Sequence, residues 1–154
     1  MRLVLIEDDP NKSRYLVDLI QASLPEVALI VRRSYTSGLR EIRSSLPDLI
    51  LLDMSLPNFD PDIDEDSGKF RSYGGRDVMH QLVRRKLDIK VIIVTQFETF
   101  ATDRETLSLA DLSASLQAEF PRIYAGTVYY NPSQDDWKEK LISLIRTLEE
   151  AGHV

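Results

Sequence analysis

The fold is decided by one stretch of the sequence, Pro47-Asp48-Leu49-Ile50-Leu51-Leu52-Asp53-Met54-Ser55-Leu56-Pro57. Its four consecutive apolar residues are too few for a helix and do not alternate with polar ones, so they predict a strand that is buried on both faces. Such strands belong to parallel sheets covered by helices. Asp53 would then lie at the carboxyl end of the strand, where ligands bind in open α/β sheets. Because an aspartate there can also cap a helix or form a turn, this stretch alone does not assign it a function.

Similar apolar runs occur at four other places along the chain. They span residues 3–6, 27–31, 91–94 and 123–130, and apolar residues at helical spacing follow each of them. Five strands that alternate with five helices predict a parallel, doubly wound α/β sheet. We expect a single domain covering residues 1–154, because no linker or internal repeat interrupts the pattern.

The composition limits the classes of function that need to be considered. The 154 residues contain 43% apolar and 29% charged residues, which is typical of a soluble globular protein. The net charge of −6 argues against nucleic acid as a partner. The sequence contains no cysteine, which excludes disulfides and thiol catalysis. No signal peptide or membrane span is recognisable, so a cytoplasmic location is expected and a membrane partner is not.

Two segments depart from the regular alternation. The first, at about 58–75, carries five acidic residues between Asp60 and Asp66, then Lys69 and Arg71, and closes at Gly74-Gly75. Its composition predicts a long solvated loop. The second, at about 97–121, has leucines that predict an extended or broken fourth helix.

Polar side chains follow three of the predicted strands. In a parallel sheet the carboxyl ends of the strands share one edge, so Glu7, Asp8, Asp53 and Thr95 are expected to converge. Three carboxylates so close together repel one another unless a cation lies between them. Oxygen ligands of this kind suit Mg²⁺. A carboxylate beside such a metal can accept a phosphoryl group, and a neighbouring hydroxyl can hydrogen-bond to it.

At this point the chain resembles a response-regulator receiver domain along nearly its whole length. The resemblance is carried by Leu-Ile-Glu7-Asp8-Asp9-Pro, by Pro-Asp-Leu-Ile-Leu-Leu-Asp53-Met-Ser-Leu-Pro, and by Val-Ile-Ile-Val-Thr95. It implies a flavodoxin-like fold with strand order 2-1-3-4-5 and helices on both faces.

The resemblance also implies roles for individual residues. Glu7 and Asp8 would hold Mg²⁺, and Asp53 would be both a metal ligand and the phosphoacceptor. The backbone carbonyl of Ser55 would complete the protein ligands, and Thr95 would bind the phosphoryl group as part of the switch.

One departure from the family's pattern concerns the charge of this site. The family has a lysine just before a proline at the end of the fifth strand, and here that position is Asn131, which can donate a hydrogen bond but carries no charge. The two atypical segments leave the sheet on the same side, so four cations in or next to them are candidate substitutes: Lys69, Arg71, Arg76 and Arg104.

Three functional hypotheses follow from these observations. The leading one is a stand-alone receiver that accepts a phosphoryl group on Asp53 from a histidine kinase or kinase-like ATPase. It would signal to an unknown downstream protein or through a homodimer, with no enzymatic activity beyond slow self-dephosphorylation. The alternative is a pseudo-receiver adaptor that acts independently of phosphorylation. A phosphohydrolase of the haloacid-dehalogenase kind is disfavoured, because that class has a second aspartate where Ser55 stands.

Overall fold

The computed structural model describes residues 1–60, 70–71, 74–96, 99–101 and 106–154. The strands in these ranges are β1 (Arg2–Ile6), β2 (Ala28–Arg32), β3 (Leu49–Leu52), β4 (Leu56–Pro57), β5 (Phe70–Arg71), β6 (Lys90–Thr95), β7 (Thr99–Ala101), β8 (Thr106–Ser108) and β9 (Tyr124–Tyr129). The helices are α1 (Pro10–Ser23), α2 (Tyr35–Ser44), α3 (Gly74–Arg84), α4 (Leu109–Glu119) and α5 (Asp136–Glu150).

A five-stranded parallel sheet forms the centre of the molecule. Its strand order is β2-β1-β3-β6-β9, which confirms the predicted flavodoxin-like order 2-1-3-4-5. Strand β3 lies in the middle, between β1 and β6. The end of β3 therefore has neighbours on both sides that also end in polar residues.

Strand β3 consists only of apolar residues, because both of its faces are buried. All four of its residues are fully buried, and they alternate between the two faces of the sheet. Ile50 and Leu52 pack in one core layer with residues of α2, α3 and α4, whereas Leu49 and Leu51 pack in the other with residues of α1 and α5. Helices on both faces thus exclude water from the sheet and leave its carboxyl edge as the place for polar groups.

The described residues of the segment after β3 include two short strands that pair with each other. Strands β4 and β5 form an antiparallel pair in which Leu56 lies opposite Arg71 and Pro57 opposite Phe70. Residues 61–69 and 72–73 of the predicted loop lie outside the described residues.

The region after β6 differs from the expected extended helix at about 97–121. Helix α4 begins only at Leu109, where Ser108 and Asp111 form a capping box. The preceding strands β7 and β8 pair antiparallel, with Phe100 opposite Leu107. The helix begins at Leu109 because the cap satisfies backbone N–H groups that lack a partner inside the helix.

None of the helices within the described ranges combines the length and the apolar character needed to cross a lipid bilayer.

Candidate functional site

The carboxyl edge of the sheet brings together the three carboxylates that the sequence singled out. Glu7 and Asp8 follow β1, and Asp53 follows β3. One carboxylate oxygen from each of the three lies within 4.8 Å of the others. The backbone continues the sheet into the site, since Asp53 N donates a hydrogen bond to Ile6 O at 3.2 Å.

Burial makes this cluster electrostatically costly. It raises the pKa of Glu7 to about 8, although Lys12 lies beside it. Burial also raises the pKa of Asp8, and the charge of Asp53 adds to that effect. The pKa of Asp53 is raised for the same reason, against the opposing effects of Lys12 and of the backbone N–H groups of Met54 and Ser55.

The structure shows that a lysine does lie among these carboxylates. The side chain of Lys12 is only 1% exposed. Its Nζ lies 2.5 Å from Glu7 Oε2 and 3.4 Å from Asp53 Oδ1, and it donates a hydrogen bond to Val94 O at 2.7 Å. Burial lowers the pKa of Lys12, but Asp53 and Glu7 together more than offset this, so its pKa is raised and the side chain is an ammonium. The compensating cation of the cluster is therefore Lys12 of helix α1.

Lys12 reaches the site because of how helix α1 begins. Asp9 caps the helix, accepting hydrogen bonds from Asn11 N at 2.8 Å and Lys12 N at 3.1 Å, and Pro10 occupies the first position. Lys12 is thus in the first turn, on the same buried face as Leu16 and Ile20. That spacing is visible in the sequence: Lys12 stands four residues before Leu16, where a core-facing helix normally has an apolar residue. This signal marks Lys12 as a residue of the buried helix face, but it does not identify its partners.

Thr95 lies at the strand end where the topology predicted it, and Ser55 lies two residues after Asp53. Thr95 is the last residue of β6, is fully buried, and accepts a hydrogen bond from Tyr130 N at 2.7 Å through its backbone carbonyl. Ser55 is half-buried in the short turn between β3 and β4. Both residues therefore belong to elements that end at the same edge as Asp53.

Asn131 uses its side chain locally. Its Oδ1 accepts a hydrogen bond from Ser133 N at 3.0 Å, and its backbone carbonyl accepts one from Gln134 N at 3.1 Å. Such bonds stabilise the turn between β9 and α5. The ring centroid of Tyr130, the residue before it, lies 5.9 Å from Lys12 Nζ.

Lys12 is not among the four cations that the sequence suggested as substitutes for a lysine at position 131. Lys69, Arg104 and the side chain of Arg71 lie outside the described residues. Arg76 contacts α4, with hydrogen bonds to Glu119 Oε2 at 2.9 Å and Ser115 Oγ at 3.2 Å.

A glycine holds the acceptor turn close to α3. Gly75 N donates a hydrogen bond to Met54 O at 2.9 Å. A Cβ atom on Gly75 would collide with the backbone of Asp53 and Met54. The glycine therefore permits the first turn of α3 to pack directly against the peptide that carries Asp53.

The donor set fits a divalent cation of the Mg²⁺ type. The three carboxylates offer only oxygen, as Mg²⁺ prefers. Within the described part of the chain, neither Glu7 Oε2 nor Asp53 Oδ1 accepts a hydrogen bond, although both are deeply buried and both face the Lys12 ammonium. Buried carboxylate oxygens in that situation retain lone pairs that a cation can use.

This chain has a flavodoxin-like sheet with an acidic cluster and a hydroxyl at the ends of its central strands. This is the arrangement that the resemblance to receiver domains implied. No protein-family model matches the chain. Two curated proteins are similar to it over most of their lengths. An uncharacterised protein of Sinorhizobium fredii, y4jR, is 35% identical over 139 residues, covering 90% of this chain and 92% of the relative. The Detocs response regulatory protein DtcB of Enterobacter cloacae is 31% identical over 150 residues, covering 96% and 100%.

Solved structures agree with this assignment at the level of the fold. The response regulator TrrA of Thermotoga maritima, crystallised with Mg²⁺ and BeF, superimposes with a TM-score of 0.61 at 20% identity, covering 93% of this chain and 97% of that one. The chain belongs to the response-regulator receiver family, whose members are signalling domains of two-component systems.

Proposed function

We propose that the protein is a phosphoacceptor switch in which Asp53 receives a phosphoryl group. The observation that carries this proposal is the position of Asp53: it is buried at the end of the central strand, within 4.8 Å of two further carboxylates and beside an ammonium. A surface aspartate that merely caps a turn has no need of such surroundings. The family to which the chain belongs supports the same role.

The residues at the carboxyl edge of the sheet have separate roles in the proposed phosphoryl transfer. A carboxylate oxygen of Asp53 attacks the phosphorus atom, forming an O–P bond while the donor's P–N or P–O bond breaks and its electron pair leaves with the donor. Asp8, Glu7, Asp53 and the carbonyl of Ser55 would hold Mg²⁺, which supplies positive charge to the transferred group. Thr95 would donate a hydrogen bond to a phosphoryl oxygen. The donor would be a histidine kinase or a kinase-like ATPase, and output would pass to a downstream protein by direct contact.

The proposal can be tested with a small phosphodonor. The intact mass of the native chain, measured after incubation with phosphoramidate and Mg²⁺, should show one added phosphoryl group, and Asp53→Asn should show none. Asp48→Asn is the matched control, because Asp48 flanks the opposite end of the same strand, where it accepts a hydrogen bond from Arg2 N at 2.7 Å. It should be labelled like the native chain.

If the native chain is not labelled, the proposed function fails and the pseudo-receiver adaptor is favoured. A label that persists in Asp53→Asn would place the acceptor elsewhere and refute the assignment of Asp53.

A further inference from the structure

The Lys12 ammonium occupies a place that three separate elements define. Glu7 directly after β1, Asp53 directly after β3, and Val94, the penultimate residue of β6, each present an oxygen to it. An ammonium has three N–H donors and no acceptor. One of them donates to Val94 O, and the two carboxylate oxygens lie within ion-pair distance of the nitrogen. The side chain of Lys12 is only 1% exposed, so water molecules have little access to replace these oxygens. It is therefore held in one position.

This position relates Lys12 to both chemically important groups at the edge. On one side it contacts Asp53 Oδ1, the carboxylate of the proposed acceptor. On the other it binds the carbonyl of Val94, the residue that immediately precedes Thr95. One side chain thus connects the acceptor to the end of the strand that carries the hydroxyl.

The residue at the family's lysine position does not make this connection in the described structure. The Asn131 side-chain oxygen is engaged with Ser133 N, within its own turn. The neighbouring Tyr130 ring is 5.9 Å from Lys12 Nζ, so the turn after β9 lies next to the ammonium. The first turn of α1 and the turn after β9 are therefore two alternative places from which a cation can approach the same carboxylates.

We propose that Lys12 is the phosphoryl-binding cation of this receiver and replaces, from helix α1, the lysine that is absent at position 131. The inference rests on the proposed phosphorylation of Asp53. Transfer adds a dianionic group with three acceptor oxygens to a carboxylate that the ammonium already contacts. Lys12 then binds a phosphoryl oxygen while its bond to Val94 transmits the change to the strand end at Thr95.

The test compares four variants with the native chain: Lys12→Met, Asn131→Lys, the double variant, and Arg14→Met. Methionine keeps an unbranched side chain on the buried face of α1 and removes the charge. Arg14→Met is the matched control, since Arg14 is an exposed cation of the same helix. The first measurement is the rate of labelling by phosphoramidate with Mg²⁺, followed by intact mass.

Lys12→Met should reduce the labelling rate by about tenfold or more, which is the loss expected for a hydrogen bond to a charged group. The double variant should recover most of the lost rate, and Arg14→Met should lose none of it. If the native chain is labelled and Lys12→Met is labelled equally fast, the role of Lys12 is refuted while the role of Asp53 stands. If Lys12→Met does not fold, the double variant decides: the inference fails if that variant also does not fold, or folds and is not labelled.

A second measurement remains decisive if the native chain takes no label and the proposed function fails. Urea unfolding without metal or phosphodonor is used to complete a double-mutant cycle between positions 12 and 131. Asn131→Lys should destabilise the native chain, where a second cation is repelled, and stabilise Lys12→Met, where it replaces the missing one. An effect of the same sign in both backgrounds would show that the two positions do not serve the same carboxylates and would overturn the inference.

Discussion

Two turns lie at the carboxyl edge of the sheet, and they differ in what they offer the acceptor carboxylate. The turn that begins α1 presents Lys12, whose ammonium lies between Glu7 and Asp53. The turn that follows β9 presents Asn131, whose side chain stabilises its own backbone. The comparison teaches that a buried carboxylate cluster determines where a cation must be, but not which element of the fold must present it. Coulomb attraction depends on distance and surroundings and not on the order of residues along the chain.

The two turns should differ most in how far a substitution in each lowers the free energy of unfolding. Lys12→Met should lower the free energy of unfolding by about 3–5 kcal/mol, because it leaves buried carboxylates without a counter-charge. Urea denaturation at neutral pH in the absence of divalent cations measures this loss. Added Mg²⁺ should reduce the loss, since it introduces another positive charge. A loss no larger than that caused by Asn131→Ala would contradict the difference between the turns.

Metal binding tests whether the cluster still needs a cation when Lys12 is in place. Mg²⁺ at 100 times its dissociation constant should raise the free energy of unfolding by about 2.7 kcal/mol, provided that it binds only the folded state. Asp8→Asn should remove most of this gain, because it takes one of the three carboxylates away from the proposed metal site. Asp8 is the half-buried member of that cluster, so its change disturbs the core least. Asp18→Asn, an exposed site on α1, should retain it. Melting curves recorded with Mg²⁺ and with chelator provide the comparison, and identical curves for the native chain would contradict the metal site.

The helix cap tests how Lys12 is positioned. Asp9→Ala should cost about 1 kcal/mol through loss of the cap. Ser108→Ala removes the corresponding cap of α4 and should cost a similar amount. We expect labelling by phosphoramidate to slow in Asp9→Ala and not in Ser108→Ala, because only the first change loosens the turn that carries Lys12. Equal labelling of the two variants would show that the cap does not direct Lys12.

The smallest effect is expected in the turn after β9. Asn131→Ala removes the bond to Ser133 N and should cost about 0.5–1 kcal/mol, within the range for a neutral hydrogen bond. Urea denaturation measures this cost directly. A loss approaching that of Lys12→Met would mean that Asn131 has a larger role in the site than its local hydrogen bonds indicate.

The pattern of apolar runs predicted the parallel sheet and the convergence of Glu7, Asp8 and Asp53, and the resemblance to receiver domains implied the strand order. Thr95 ends strand β6, as predicted. An unbroken apolar run such as residues 49–52 has few structural alternatives, and parallel strands necessarily bring their carboxyl ends to one edge. The start of α1 was equally well specified, because Asp9 and Pro10 act within one turn of backbone. The roles of these residues in phosphorylation remain predictions that the labelling experiments test.

The partner of Asp53 and the β7–β8 pairing that precedes α4 became apparent only in the tertiary structure. Leucines between residues 107 and 116 are compatible with an early helix start, and only the β7–β8 pairing shows that α4 begins at Leu109. A lysine is expected at the surface, because burying an ammonium is costly without partners. The partners of Lys12 come from positions 7, 53 and 94, which are brought together by the folded sheet. Burial of Lys12 is favourable only after those strands have assembled, and for that reason its place in the site could not be deduced from its local sequence alone.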